Sequence, residues 1–397
     1  MCCTAHLCLL SLGKNFRLRQ TVQIPPRIDA TFLDWSKAFD RVSHTLPLGK
    51  LHKYGVCGLA LKWFESYLTG RQQRVQYRGI HSNWVPVSSG VPQGSVLGPA
   101  LFNVFAFDLP FCVQSNIRQY ADDTVIYRVI YNQGDEVILQ DDLKHISTWC
   151  SLNKMKLNVN KCKLLSITRS SHPPKPMYII DTRLLEVVDQ YKYLGVVISR
   201  DLAWKHHINS VVAKANRMNG FIRRLVKCRD PSTSVKLYRA LVRPVVEYAA
   251  PVWYPSTLAQ QLCVEGIQRR FTRSCLGLPR RHIANGNSSN MEYSVRCTKL
   301  GLPSLLNRLN FLSVVFVAKC LYNKFDLTLD GIVKLNPRHT EQVKFVHHAS
   351  RTVALHESLF VRFPRLWDSL PNDVTESILL SLNLFTSKLR IYWLNTE

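Results

Sequence analysis

The spacing of apolar positions predicts an α+β structure for the first half of the chain. Short apolar runs predict strands at 30–33, 117–127 (two strands), 163–168 and 191–198. Apolar positions three or four residues apart predict helices at 58–68, 96–107 and 139–150. A hairpin is predicted around Gly79, followed by a loop rich in Gly, Pro and Ser at 88–95. This irregular alternation favours a sheet with helices packed on one face.

The pattern becomes mostly helical from about residue 202, which places a domain boundary near 200. The start of the chain is predicted to be irregular because Pro25-Pro26 interrupts it. A weaker break is predicted at 282–292, where Asn, Gly and Ser dominate. The predicted parts are an irregular segment 1–29, an α+β domain 30–200, a basic helical region 201–282 and a C-terminal helical region 283–397.

The charge of the chain adds a class of partner to this picture. Lys and Arg total 52 against 27 Asp and Glu, a formal net charge of +25. Such an excess favours a polyanionic partner, above all nucleic acid, although a basic enzyme of another class remains an alternative. The 46% of hydrophobic residues is enough for a real core and argues against wholesale disorder.

The cysteines and the apolar runs exclude other classes. The 12 cysteines contain no C-x-x-C pair, so neither a zinc ribbon nor a zinc knuckle is supported, and free thiols are expected. The longest later apolar run, 311–318, is too short to span a bilayer. We therefore expect no membrane segment and an intracellular protein, in the nucleus or in a cytoplasmic ribonucleoprotein. Its oligomeric state is not determined by the sequence.

Three aspartates stand where predicted apolar strands end. Asp34 follows the run 30–33, and Asp122 and Asp123 lie between two short strands. A carboxylate beside a buried strand is costly unless a cation accompanies it, and three together would repel one another. Two Mg²⁺ ions about 3.5–4 Å apart would relieve that repulsion and serve nucleotidyl transfer. For any single Asp, a turn or cap position is the simpler explanation.

The surrounding motifs resemble those of a known family. Tyr120-Ala121-Asp122-Asp123 resembles the catalytic box of reverse transcriptases, and Asp34 with Phe39 and Asp40 resembles their first catalytic box. The segment 89–99, which contains Gly-Val-Pro-Gln-Gly, resembles the substrate-binding box between them. All three occur in the order found in the family, and their sequences most resemble those of jockey-like non-LTR retrotransposons. Weaker similarity covers roughly residues 28–397, in 158–163, 193–196, 241–249, 268–271 and 363–371.

The resemblance implies a polymerase palm, with an antiparallel sheet and helices on one face, followed by a thumb-like helical region. It implies an RNA-directed DNA polymerase that adds dNTPs to a primer 3′-hydroxyl. Its partners would be an RNA template and a DNA primer or target. Asp34 and Asp122 would hold two Mg²⁺ ions, with Mn²⁺ as a substitute ion, and Asp123 would support the site or bind metal.

The resemblance also implies roles for residues around the metals. Phe39 would pack under the incoming sugar and exclude a 2′-hydroxyl, although an ordinary core Phe is the alternative. Lys161 would lie near the triphosphate, unless it is a surface lysine. The loop against the nucleotide and template would contain Gly90, Gln93 and Gly94, or be a simple turn before a helix. Basic side chains after residue 200 would contact the sugar-phosphate backbone, although a solvated helix face is the alternative. They include Lys214, Arg217, Arg223, Arg224, Lys227 and Arg239.

One part of the family pattern is not found. The family has a fingers region before the first catalytic box, whereas only about 30 residues precede Asp34, and they do not resemble it. We therefore expect an N-terminally truncated element copy with little processive activity. A catalytically dead nucleic-acid-binding remnant remains an alternative. A template-independent or DNA-templated polymerase is a third possibility, which the Gly-Val-Pro-Gln-Gly loop argues against.

Overall fold

The computed structural model describes residues 27–168, 170, 175–226, 230–278, 291–322, 345–347 and 358–394. These residues form two compact units. The sheet unit contains residues 27–195 and 199–202, and the helical unit contains 196–198 and the described residues from 203 on. The predicted α+β class, with a mostly helical second part, is confirmed. The domain boundaries at 29, 200 and 282 remain predictions, and the last of them lies outside the described residues.

Among the described residues, the strands all lie before residue 200. In chain order they are β1 (Arg27–Leu33), β2 (Gln72–Gln73), β3 (Gln76–Tyr77), β4 (Ile80–His81), β5 (Val85–Pro86), β6 (Asn116–Tyr120), β7 (Asp123–Ile130), β8 (Lys163–Ile167), β9 (Ile179–Ile180), β10 (Arg183–Leu184), β11 (Glu186–Val187), β12 (Gln190–Tyr193) and β13 (Val196–Ser199). Five of them form the main sheet, in the order β11-β8-β1-β7-β6. Every pair in it is antiparallel except β11 with β8, so the predicted antiparallel sheet has one parallel edge.

The helices of the sheet unit are α1 (Ala38–Arg41), α2 (Thr45–Lys53), α3 (Gly58–Leu68), α4 (Leu97–Ala106), a 3₁₀ helix at Leu109–Cys112 and α5 (Gln133–Leu152). Those of the helical unit begin with α6 (Lys205–Leu225), α7 (Pro231–Leu237), a π-helix at Tyr238–Val242, α8 (Arg243–Glu247) and α9 (Ala250–Trp253). They continue with α10 (Leu258–Cys275), α11 (Tyr293–Lys299), α12 (Leu305–Leu321), α13 (Leu359–Asp368), α14 (Asn372–Leu380) and α15 (Leu382–Leu394). In these ranges no helix is both long and apolar enough to cross a membrane.

Strand β1 lies at the centre of the sheet, and all seven of its residues are buried. It begins three residues earlier than predicted. The apolar pattern missed these residues because Arg27 and Asp29 are charged. Those charges are satisfied internally: the Asp29 carboxylate accepts hydrogen bonds from Ser166 Oγ at 2.7 Å and from Tyr178 OH at 2.8 Å. Arg27 Nε also donates to it at 3.0 Å, and Arg27 Nη2 donates to Glu136 of α5. A buried charge is tolerated when it is paired and hydrogen-bonded.

The two faces of the sheet have different covers, since successive strand residues point to opposite sides. Leu33, Ile126 and Leu164 lie in one core cluster with residues of α4 and α5, such as Phe105 and Leu143. This confirms that helices pack on one face of the sheet.

The opposite face of the sheet contains aromatic contacts. The Phe32 ring stacks on Tyr191 of β12 with centroids 4.2 Å apart, and it lies 5.2 Å from the Tyr193 ring. Strand β12 therefore helps to cover the face of the sheet toward which Phe32 points.

The other local predictions hold, with one correction. Helices α3, α4 and α5 match their predictions, and β3 pairs with β4 across Arg78-Gly79, whose φ values of 47° and 84° turn the chain. The predicted strand 191–198 is instead two strands. Leu194 and Gly195 separate them at φ 47° and 81°, in the left-handed region, which no regular strand adopts.

Candidate active site

A tight turn presents Asp122 and Asp123. Tyr120 pairs with Asp123 across β6 and β7, which leaves Ala121 and Asp122 as the connection. Ala121 adopts φ 54°, a left-handed conformation that is uncommon for a residue with a side chain. Such local strain is concentrated at functional sites, where the surrounding structure enforces it. The strained turn places both carboxylates at the end of the β6–β7 hairpin.

The sheet register brings Asp34 to the same end. Leu33 pairs with Thr124, so Asp34, which follows Leu33, and Asp123, which precedes Thr124, lie at the same end of the two strands. The pKa of Asp123 is raised, first by partial loss of water around the carboxyl and then by the negative charges of Asp122 and Asp34. The three aspartates predicted from the sequence are therefore electrostatic neighbours.

The three carboxylates do not form a complete ligand set. Within the ranges that the structure describes, no group of three or more His, Cys, Asp or Glu side chains is arranged to hold a metal ion. The binding of metal by Asp34, Asp122 and Asp123 therefore remains a prediction.

A segment that follows α5 lies against Asp34. The Asn158 N–H donates to the Asp34 carbonyl at 2.8 Å, and the Asp34 N–H donates to the Cys162 thiol sulfur at 3.4 Å. These bonds bring Lys161 beside the aspartate, with Nζ 4.0 Å from Asp34 Oδ2. The lysine is exposed, so the ion pair contributes little to stability. Its placement nevertheless puts a cation next to the carboxylates.

Phe39 has both a packing contact and a position near the site. It follows Asp34 by five residues in the sequence and is half-buried. Its ring stacks on Phe102 of α4 with centroids 4.6 Å apart. Phe39 therefore packs against the core, and its predicted contact with a sugar remains a prediction.

The loop 88–95 docks on α1 through its backbone. The Gly90 N–H donates to the Val42 carbonyl at 2.8 Å, and the Val91 N–H donates to the Phe39 carbonyl at 2.9 Å. Gly90 has φ 91°, and a Cβ at this position would lie 2.9 Å from the Cα of Asp40. Only glycine allows this approach. Gly94 also has positive φ, at 80°, but open space surrounds it.

Several contacts of this loop were not predicted. The His44 ring nitrogen Nε2 lies 3.0 Å from the Gly90 carbonyl, and Gln93 Nε2 donates to Asp40 Oδ1 at 2.9 Å. Ser95 Oγ accepts from the Gly98 N–H at 2.9 Å and so begins α4. The only sequence signal for these partners was the presence of Asp40 and Gly98 inside the two motifs.

The predicted nucleic-acid contacts lie in the helical unit and differ among themselves. Lys214, Arg217, Arg223 and Arg224 are exposed on α6. Arg239 is half-buried, and its Nη2 donates to the Gly301 carbonyl at 2.6 Å. Lys227 lies outside the described residues. Within the described residues no such backbone contact is made by the four exposed cations of α6, whereas Arg239 joins two parts of the unit.

Residues 18–198 match the family described as reverse transcriptase (RNA-dependent DNA polymerase), beginning ahead of residue 28 where the motif resemblance begins. The RNA-directed DNA polymerase from mobile element jockey of Drosophila funebris is 29% identical over 266 residues, which cover 62% of this chain and 28% of that protein. The probable RNA-directed DNA polymerase from transposon X-element of Drosophila melanogaster is 27% identical over 258 residues, 63% of this chain and 28% of that protein. The chain thus spans 28% of the length of these relatives.

Among solved structures, that of apo telomerase from Candida Tropicalis matches with a TM-score of 0.40 and 10% identity. The match covers 83% of this chain and 55% of that chain. Because this TM-score is low, the family assignment rests on the sequence matches alone. This chain carries a reverse transcriptase domain of the kind found in the RNA-directed DNA polymerases of non-LTR retrotransposons.

Proposed function

We propose that this chain is an RNA-directed DNA polymerase that transfers a nucleotide from a dNTP to the 3′-hydroxyl of a primer. One observation carries the proposal most directly. The register of the main sheet brings Asp34 and Asp123 to the same end of β1 and β7, and Asp122 lies in the adjoining turn. This clustering of carboxylates occurs within residues that match the reverse transcriptase family.

The donor chemistry of this cluster fits a hard divalent cation. Mg²⁺ prefers carboxylate oxygens and keeps waters and phosphate oxygens in its shell, so it does not need a cage made only of protein. The mutual repulsion that raises the pKa of Asp123 is what a cation would relieve. We propose that Asp34, Asp122 and Asp123 hold two Mg²⁺ ions, for which Mn²⁺ can substitute. Bound there, the ions would activate the attacking hydroxyl and stabilise the leaving oxygen.

The neighbouring side chains would bind and orient the nucleotide. Lys161, beside Asp34, would contribute a cation to the triphosphate. The loop with Gly90, Gln93 and Gly94 would lie against the base and template, since glycine permits close backbone approach and an amide both donates and accepts. Phe39 would present a ring that leaves neither room nor a hydrogen-bond partner for a 2′-hydroxyl.

The exposed cations of α6 would bind the template–primer duplex. Lys214, Arg217, Arg223 and Arg224 would contact phosphates without reading sequence, as the charge of +25 favours. We propose Lys227 as a further contact, and Arg239 as a contact that also braces the helical unit. Residues 30–200 would then be the palm and 201–282 the thumb.

Primer extension tests this function. The chain is incubated with Mg²⁺, dNTPs, an RNA template and a DNA primer, beside Asp34→Asn and Asp122→Asn. Each substitution should lower the extension rate by at least about 100-fold, because lost metal charge stabilisation is worth several kcal/mol. Asp141→Asn is the control, since Asp141 pairs only with Lys144 on the surface of α5. Binding of the duplex without extension by the unsubstituted chain would contradict the proposal and favour a non-catalytic remnant.

A further inference from the structure

We propose that Asp40 is a positioning residue, which acts on the incoming nucleotide through Gln93. This inference rests on the proposed function, in which Gln93 contacts the nucleotide or template. Gln93 Nε2 donates a hydrogen bond to Asp40 Oδ1 at 2.9 Å. Asp40 is the last acidic residue of the first catalytic box, yet no chemistry has been assigned to it above.

The Asp40 carboxylate determines which end of the amide is presented. An ionised carboxylate only accepts hydrogen bonds, so the amide nitrogen of Gln93 must face it. The amide oxygen of Gln93 is then the atom left for a donor group of a ligand. Without Asp40 the amide could rotate, and either end could point outward. The acceptor that meets the nucleotide is therefore selected by a side chain that does not itself touch it.

The backbone around Asp40 holds the same loop from a second side. Ser89 Oγ donates to the Asp40 carbonyl at 2.9 Å. Gly90 approaches Asp40 so closely that an added Cβ would lie 2.9 Å from the Asp40 Cα. Because these contacts use the backbone of Asp40, they survive replacement of its side chain. Loss of the carboxylate should thus free Gln93 while the loop stays docked.

This separation predicts a specific kinetic effect. A hydrogen bond to a charged group orients its partner more weakly when both groups are exposed to water than when they are buried. Since Asp40 and Gln93 are both exposed, Asp40→Ala should raise KM for the dNTP by roughly three- to tenfold. The kcat should change less than about twofold, because the metal-binding aspartates are untouched. Asp40→Asn keeps an oxygen acceptor, so its KM should stay within about twofold of the unsubstituted chain.

A double-mutant cycle separates action through Gln93 from a general structural effect. Gln93→Ala alone should raise KM, and adding Asp40→Ala to it should change KM no further. Independent, multiplicative effects of the two substitutions would overturn the proposal. So would an unchanged KM in Asp40→Ala. Asp141→Ala, which removes an acid from the surface of α5, should leave KM unchanged.

A second measurement keeps this inference distinct from the proposed polymerase activity. In Asp40→Ala, hydrogen exchange of peptides covering residues 92–95 should become faster, while the amides of Gly90 and Val91 should keep their protection through Val42 and Phe39. Unchanged exchange at 92–95 would overturn the positioning role whether or not the chain extends a primer. Absence of extension by the unsubstituted chain, with the exchange effect present, would overturn the proposed function alone.

Discussion

At the scale of single residues, the charge of Asp123 sets a dependence of stability on pH. Its pKa is raised in the fold by partial desolvation and by Asp122 and Asp34. A carboxyl with a raised pKa holds its proton more tightly when folded than when unfolded. Its ionisation therefore lowers stability as the pH rises above the unfolded value of about 3.9. The carboxylate cluster is maintained at a cost to the fold at neutral pH.

Replacement of Asp123 by Asn should remove that cost. We expect Asp123→Asn to raise the free energy of unfolding at neutral pH, by less than about 1 kcal/mol because the side chain is exposed. The gain should vanish near pH ~2.5, well below the unfolded value, where both states carry the proton. Urea denaturation at the two pH values measures it. For Asp141→Asn no gain is expected, because Lys144 lowers the pKa of Asp141; an equal gain in both variants would contradict the prediction.

Gly90 offers a second test at this scale. Gly90→Ala introduces a Cβ into space that the Asp40 backbone occupies, at φ 91°. The strain should lower the free energy of unfolding by about 2–3 kcal/mol. Gly94→Ala has similar φ, at 80°, but meets no atom within 4 Å, so only about 1 kcal/mol is expected. Denaturant titration of both variants checks the difference, and equal losses would show that the close approach to Asp40 is unimportant.

At the scale of elements, the start of β1 depends on the buried Asp29. Its carboxylate accepts from Arg27, Ser166 of β8 and Tyr178, which ties the strand to its neighbour and to the following chain. The same carboxylate raises the pKa of Tyr178, after burial, because a tyrosinate beside it would be repelled. One acid thus anchors three separate segments of the sheet unit.

Asp29→Ala should therefore destabilise the sheet unit strongly. Among the described residues it leaves the Arg27 guanidinium with Glu136 as its acidic partner, and it removes the acceptor of two hydroxyls. A loss of about 3–5 kcal/mol is expected, as for other broken buried charge pairs. Tyr178→Phe removes one hydrogen bond and should lose only about 1 kcal/mol. Thermal and urea unfolding measure both, and a loss below that of Tyr178→Phe would contradict the anchoring role.

At the scale of the whole molecule, the net charge of +25 should make the proposed nucleic-acid binding depend on salt concentration. Each phosphate contact that is formed releases counterions, so log Kobs falls linearly with log salt concentration. Asp122→Asn should leave duplex affinity equal or slightly higher, since it removes a negative charge near phosphates. Binding and catalysis should therefore separate in this protein.

Two arginines test where the binding charge lies. Arg217→Gln, on the exposed side of α6, should reduce the slope of log Kobs against log salt by about one, with unchanged thermal stability. Arg239→Gln should instead lower stability by about 1–3 kcal/mol, because the Gly301 carbonyl loses its donor. Fluorescence anisotropy with a labelled duplex at several salt concentrations gives the slopes. An unchanged slope in Arg217→Gln would exclude it from the interface.

The sequence by itself determined the class of the fold and most of its elements. The strands with Asp34 and with Asp122-Asp123, the hairpin at Gly79 and the helices α3 to α5 were all predictable, because each is defined by local spacing of apolar residues or by turn residues. The three motifs in order predicted the family, since each is a short contiguous segment. Local signals of this kind need no knowledge of distant partners.

Only the tertiary structure decided how those segments meet. The charged start of β1 looked irregular because its partners, Ser166 and Tyr178, lie more than a hundred residues away. The break at Leu194-Gly195, the commitment of Arg239 to Gly301 and the bond from Gln93 to Asp40 likewise depend on backbone geometry or on contacts between distant segments. The sheet register, which no local pattern specifies between distant strands, brought Asp34 and Asp123 to the same end of the sheet.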